Sequence, residues 1–246
     1  MAGLFGAITT RSAREAHALL HEMAQSVSVP QHCAVHDFSE ESLKTFVALV
    51  PSGVSKTHTV SLKNERGDVS LLFSGEEFPE SACAGNLRTQ VDDLQTRGSD
   101  YLVQLYEEDS AFPRSLNSRF HGLILDRRSG NVILFNDRFG MHRLYYYEDG
   151  NTFFFAAEAK SILAVCPETR ELDPQGVGEF VSCGAVLENR TLFRKIKILP
   201  PASAWSFQNG TVQRKTSYFH PREWEEQERL DPESYYQELR AVFRRN

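Results

Sequence analysis

No apolar run in this chain approaches the roughly 20 residues needed to cross a bilayer. No basic residue precedes the first apolar stretch, Met1-Ala-Gly-Leu-Phe-Gly-Ala-Ile-Thr-Thr, so it does not read as a secretory leader. Cysteine is scarce. Its 4 copies (Cys33, Cys83, Cys166, Cys183) lie far apart with no CxxC pair. That argues against a disulfide framework and fits a reducing cytosol, so a cytoplasmic location is expected. The sequons Asn189-Arg-Thr191 and Asn209-Gly-Thr211 carry no weight without secretion. A basic excess is also missing: Lys and Arg total 27 against 33 Asp and Glu, a formal charge of −6. Nucleic acid is therefore not the expected partner. No glycine-rich phosphate loop, internal repeat or low-complexity tract occurs.

What is present is ordinary for a folded domain. Apolar residues make up 41% and charged residues 24% of 246 positions. A chain of this size buries about 70–75% of the surface its unfolded form exposes. Leu4 to Ile8 reads as a short buried strand. Arg11 to Gln25 reads as a helix, with Ala13, Ala16, Leu19, Leu20 and Met23 at helical spacing. Phe38 to Leu49 reads as a second helix capped by Ser39. Val54 to Leu62 and Val69 to Phe73 read as strands joined at Arg66-Gly-Asp, and Ser99 to Glu108 as a helix. His121–Asp126, Val132–Asn136, Leu144–Tyr147 and Phe153–Ala157 read as a meander punctuated by glycine turns. Two helices, Glu158–Val165 and Pro174–Ser182, precede a hairpin around Asn209-Gly210. Hairpins and helices in separate blocks predict the α+β class.

Composition shifts after Thr216. Residues 222–229 are dense in charge and read as a linker, and Asp231-Pro232 reads as the cap and first residue of a new helix. The chain stops at Asn246 without a helix stop signal, which suggests a truncated second domain. The expected division is 1–216 and 217–246.

Four stretches carry a resemblance. They are Met1-Ala-Gly-Leu-Phe-Gly6, Asp137-Arg-Phe-Gly-Met-His-Arg-Leu-Tyr-Tyr146, Phe155-Ala-Ala-Glu-Ala-Lys-Ser-Ile-Leu163 and Arg190-Thr-Leu-Phe-Arg-Lys-Ile-Lys-Ile-Leu-Pro-Pro201. Together they resemble the N-terminal half of glutamine-dependent asparagine synthases, and Tyr235-Tyr-Gln-Glu-Leu-Arg240 is similar to the first helix of that family's synthetase domain. The resemblance implies a class II glutamine amidotransferase domain of the N-terminal-nucleophile hydrolase fold. That fold is a four-layer αββα sandwich of two antiparallel sheets between helix layers. It also implies a cysteine at position 2, exposed when Met1 is removed. The cysteine thiolate attacks the glutamine amide, and the free α-amine, with a pKa near 7.7–8.0, serves as base. Ammonia then passes to a synthetase domain that uses ATP and Mg.

Measured against that pattern, the chain departs at its chemistry. Residue 2 is Ala2, and a methyl group cannot attack a carbonyl. The family's Asn-Gly-Glu turn reads Ser74-Gly75-Glu76 here. The resemblance gives the first two positions the oxyanion hole and Glu76 a substrate contact. Ser74 cannot place a donor where an amide would, and losing one such donor typically costs about 10²–10³ in rate. The family's carboxylate-gripping arginine is missing from 46–56, and neither Lys44 nor Lys56 offers a bidentate fork. Asp100 matches the family's acceptor for the substrate ammonium. β-Lactam synthetases, which share the two-domain plan, likewise lack the cysteine.

The expectation is a pseudoenzyme domain of an asparagine-synthase-like protein, inactive as a glutaminase and binding glutamine weakly if at all. Its expected partner is the C-terminal synthetase domain, with no cofactor or metal in this chain and a homodimer left open. Two alternatives stand beside it: a Cys-to-Ala variant of an active synthase, and a stand-alone interaction module. Several features have plainer readings. His17 and His21, with His32, Cys33 and His36 after them, could suggest metal ligands, but no partner completes a recognisable spacing. Asp137-Arg138 reads as structural within a tight turn. Tyr145–Tyr147 and Phe153–Phe155 read as strand buried on both faces.

Overall fold

The computed structural model describes residues 3–27, 34–50, 58–76 and 101–245. Among these, two six-stranded antiparallel sheets form the centre. The first runs β10 (Lys197–Ile198), β8 (Tyr145–Glu148), β9 (Thr152–Ala156), β1 (Gly3–Thr9), β3 (Thr45–Val50), β2 (His36–Asp37). The second runs β12 (Thr211–Ser217), β11 (Ser203–Gln208), β7 (Asn131–Asn136), β6 (Phe120–Asp126), β5 (Val69–Gly75), β4 (His58–Lys63).

Strand alternation sorts the apolar residues into layers. Leu4, Ile8, Val47, Leu49, Leu72, Leu123, Leu134, Phe153 and Phe155 fill the space between the sheets. Phe5, Ala7, Phe46, Ala48 and Phe154 face outward, against α1 (Ala13–Ser26) and α3 (Ala159–Val165). Leu71, Phe73 and Ile124 face outward from the second sheet, against α2 (Tyr101–Glu108). The result is the four-layer αββα sandwich. α1 begins two residues after the Arg11 of the sequence reading, because Ser12 and Glu15 form a reciprocal capping box. α4 (Pro174–Cys183) starts at the Asp173 cap and ends at Gly184 in the left-handed region. After a four-residue helix, α5 (Arg222–Glu225), the chain ends in α6 (Pro232–Arg245), where the Asp231 carboxylate accepts from Glu233 and Ser234 N–H. None of the described helices is long and apolar enough to cross a membrane.

Two sequence readings are corrected. The segment Phe38–Leu49 is not a helix: Glu41–Leu43 makes one 3₁₀ turn and Thr45–Val50 is a central strand. Thr-Phe-Val-Ala-Leu-Val is buried at every position, so it carries no polar phase to reveal a period. The four-strand meander is also split. β6 and β7 belong to the second sheet and β8 and β9 to the first, so the chain crosses between sheets at residues 137–144.

Asp137 governs that crossing. It is fully buried. Its Oδ1 accepts from Phe139 N–H (3.0 Å) and Met141 N–H (2.9 Å). Its Oδ2 accepts from His142 N–H (2.9 Å) and Phe120 N–H (3.2 Å). Arg138 is not its ion-pair partner; that guanidinium donates to the Arg114 carbonyl and lies over Phe219. The structural reading of the Asp137-Arg138 pair therefore holds.

The central strand leaves no room for side chains at Gly6. A Cβ there would stand 2.2 Å from the Phe46 carbonyl oxygen and 2.8 Å from Val47 Cα, both backbone. Gly6→Ala is expected to lower unfolding free energy by about 3 kcal/mol, at the upper end of overpacking costs. Urea unfolding checks this, and a change below about 1 kcal/mol would mean the sheet yields there. Asp137→Asn keeps the shape but leaves two of four N–H donors facing an amide NH₂. A loss of about 3–5 kcal/mol is expected in the same assay, since each buried donor left unpaired costs about 1–3 kcal/mol. An unchanged midpoint would mean that the turn does not depend on the carboxylate.

Candidate active-site cleft

β5 carries two of the sequence-predicted site residues at its end. Ser74 pairs with Thr59 on one side and His121 on the other, and Gly75 pairs with His58 and Phe120. Both therefore belong to the ladder and not to a free turn, which corrects the sequence reading. Gly75 has φ 138°, and a Cβ there would lie 2.3 Å from the Arg119 carbonyl oxygen, so glycine is required. Ser74 is buried and lies two residues from Leu72, on the strand face that meets the first sheet. Glu76 follows, with its N–H donating to Arg119 O at 2.9 Å. Its carboxylate takes both Nε and Nη2 of Arg119 at 3.3 Å. Ala2 and Asp100 lie outside the described residues, as does Lys56.

The neighbour of Ala2, however, is described. Gly3 opens β1 opposite Val50, and an added Cβ would meet Ala157 Cβ at 2.4 Å and His121 Nε2 at 3.2 Å. The first strand thus delivers its start to the face of β6 that carries His121, which is Ser74's cross-strand partner. The sequence brings together Ser74, Gly75, Glu76 and the residue after Ala2. It does not bring Lys44: the Lys44 carbonyl accepts from Thr9 N–H, at the other end of β1, about 20 Å away along the strand. Thr9, Thr10 and Ser12 are at that far end too. Thr9 is hydrogen-bonded to Thr152, and Ser12 caps α1.

The structure adds two residues that sequence reasoning missed. His121 and His142 stack in parallel, with ring centroids 4.3 Å apart and planes 11° apart. His142 Nδ1 lies 2.9 Å from Ser74 O. His121 Nε2 lies 3.4 Å from Leu4 N, and its Nδ1 3.4 Å from His142 O. A carbonyl only accepts and an amide N–H only donates, so both rings carry a proton on Nδ1, and His121, whose Nε2 accepts from Leu4, is neutral. Burial pushes His121 well below the ordinary histidine value, and the stacked His142 adds to this. Burial also lowers His142, opposed by its bond to Ser74 O and by the Asp137 charge. A histidine inside the apolar strand Phe120–Asp126 was the available signal. Its partner could not be read, because the pairing joins residues across the sheet crossing.

No described thiol offers a replacement nucleophile. Cys166 is buried among the outer helices and its thiol is pushed up to about 12, chiefly by burial. Cys183 is exposed at the end of α4, and Cys33 and Cys83 lie outside the described residues. No group of three or more His, Cys, Asp or Glu side chains among the described residues could hold a metal ion. His17 sits instead beside Asp37 (3.8 Å) and Glu41 (3.4 Å), and His21 bonds Gln25.

Comparison with known proteins agrees with this geometry. The model of the glutamine amidotransferase domain matches residues 1–219. A putative glutamine-hydrolysing asparagine synthetase 2 of Methanocaldococcus jannaschii is 30% identical over 104 residues, covering 41% of this chain and 19% of that protein. Glutamine-hydrolysing asparagine synthetase 3 of Bacillus subtilis is 26% identical over 148 residues, covering 58% and 24%. The matched regions are thus a quarter or less of those relatives' length. Among solved structures, the glutamine phosphoribosylpyrophosphate amidotransferase of B. subtilis, complexed with ADP and GMP, superposes with a TM-score of 0.55 at 12% identity, covering 88% of this chain and 49% of that one. The structure of an allosteric regulatory enzyme of purine biosynthesis gives 0.53 at 13%, with the same coverage. The fold is that of the N-terminal-nucleophile hydrolases, and the chain belongs to the glutamine amidotransferase domain family, with glutamine-hydrolysing asparagine synthetases among its relatives.

Proposed function

We propose that this domain is an amidotransferase-like module that does not hydrolyse glutamine, within an asparagine-synthase-like protein. The observation that carries the reading is Ala2, directly before a Gly3 that is seated against His121 and Ala157. A methyl group supplies neither a nucleophile nor an attachment point for an acyl intermediate. Two further features support the reading. Ser74 replaces the amide donor of the oxyanion hole, and the carboxylate of Glu76 is already engaged by Arg119. Asp100 matches in sequence the position that the family resemblance gives to the acceptor of the substrate ammonium. The domain's role is then architectural: it packs against a synthetase domain that carries ATP and Mg and forms an amide in the cytoplasm.

Glutamine is left with few charged contacts. Calorimetry is expected to give a Kd no tighter than about 1 mM, near −4 kcal/mol. Micromolar binding would show that another group grips the substrate carboxylate.

Restoring the nucleophile separates this reading from a Cys-to-Ala variant of an active enzyme. With Met1 removed, Ala2→Cys is expected to release ammonia from glutamine only slowly, because the oxyanion donor is still missing. Adding Ser74→Asn is expected to raise the rate about 10²–10³-fold, the worth of one such donor. Melting curves of the double variant check that the buried Ser74 position accepts the larger side chain. If Ala2→Cys alone turns over at about 10 s⁻¹, an ordinary enzyme rate, Ala2 is the only lesion and the variant reading replaces this one.

A further inference from the structure

Leu4 presents a gap in the sheet ladder. Within an antiparallel strand the N–H and C=O of one residue point to the same side. Leu4 O accepts from Ala157 N–H at 2.8 Å, which is the β9 side. β9 ends at Ala156, so Leu4 N–H points past the strand's end. The acceptor it finds is His121 Nε2, from the opposite sheet. One imidazole therefore ties the start of β1 to β6, across the space between the sheets.

We propose that His121 is the positioning residue for the end of β1 that leads to Ala2, and that its hold is released by protonation. The inference goes beyond the proposed function and stands whether or not glutamine is hydrolysed. Neutral His121 accepts from Leu4 through Nε2 and donates through Nδ1 toward His142 O. A second proton can enter only at Nε2. It would set N–H against N–H and break the tie to Leu4.

The surroundings disfavour that proton in the closed state. His121 is fully buried. Its neighbours on β1 and β5 and just past the end of β9 (Gly3, Leu4, Ser74 and Ala157) carry no charge. Glu158, next in sequence to Ala157, has its carboxylate at Lys160 Nζ, 2.8 Å away. Among the described residues, the ionisable group in contact with His121 is His142, stacked on it. His142 in turn feels Asp137, Arg119 and Glu76. Asp137 is already committed to four backbone N–H groups, and Glu76 to Arg119. His142 is the less buried of the two rings and takes charge first, which further opposes a charge on His121. A released His121 regains the ordinary value near 6.5. The closed state is therefore fully favoured above about pH 6.5. It loses ground as pH falls below that value, until the lowered pKa of the closed state is reached.

Hydrogen exchange at the Leu4 amide reads this directly, as a protection factor corrected for intrinsic pH dependence. Protection is expected to be constant from pH 8 to about 6.5 and to fall about tenfold per pH unit below it. The Ile124 amide in the central sheet reports on global unfolding and is expected to stay protected. His121→Gln keeps an acceptor for Leu4 without a titrating group; its Leu4 amide is expected to remain protected across the range. A flat profile in the parent chain, or the same fall in His121→Gln, would overturn the proposal. Should the variant not fold, ¹⁵N shifts of His121 in the parent chain decide the matter. The proposal requires an unprotonated Nε2 at pH 7.5, and a protonated Nε2 there refutes it.

Discussion

A single buried carboxylate holds the two halves of the sandwich in relation to each other. Asp137 gathers four N–H groups, three of them from a turn that would otherwise bury them unpaired as the chain passes between sheets. The fourth donor is Phe120, the first residue of β6, so the turn is tied to the second sheet before it reaches the first. The next residue back, Asn136, extends the same node. Its amide donates to the carbonyls of Leu199 and Pro200 and accepts from Ser203 N–H. Tyr218 closes the node by donating its hydroxyl to Asn136 O. Because the turn is fixed, His142 arrives beneath Ser74 with its imidazole against that residue's carbonyl. The cleft's geometry is thus a consequence of how the chain changes sheets.

The second constraint is thickness. Two sheets stack about 10 Å apart, and the space between them is filled by Phe153, Phe155, Trp205 and Phe207 around Leu4 and Ile8. The ring of Phe153 lies near those of Tyr146, Trp205 and Phe207. Glycine appears where backbones must come closer than side chains permit, at Gly6 against β3 and Gly75 against β6. Gly122 instead makes room for a ring, since a Cβ there would lie 2.4 Å from the Phe135 side chain. Bulk in the middle of the sandwich and its absence beside the cleft are two sides of one packing solution.

Much of this was legible in the sequence, and the failures have definite causes. Strands with a polar phase or a glycine turn beside them, such as Asn131–Asn136 and Thr152–Ala156, were found to within a residue or so. Thr45–Val50 was missed because a strand buried on both faces has no period. The meander was misassembled because sequence shows neighbours in the chain, whereas the Asp137 turn sends consecutive strands into different sheets. Ser74, Gly75 and Glu76 are singled out in the sequence by their resemblance to a motif. Their place at the end of a ladder is not, nor is the bond from His142 to Ser74 O. Arg119 and His121 have no motif of their own; only strand pairing sets them beside Glu76 and Ser74.

The residues that build this cleft and those that would run chemistry in it are different sets. Asp137, Asn136, Gly75 and the His121–His142 stack satisfy buried backbone groups or fill space, and each would be needed whatever stood at position 2. The oxyanion donor and the carboxylate grip satisfy nothing in the protein itself. Their partners exist only when substrate is bound, so losing them leaves no buried group unpaired and costs the fold little. A domain can therefore shed its reaction one side chain at a time while packing holds its backbone in place. In this chain polar side chains have also taken up bonds within the cleft. Glu76 faces Arg119, and Leu4 N–H is answered by an imidazole. A ligand that bound at these groups would have to compete with this internal pairing.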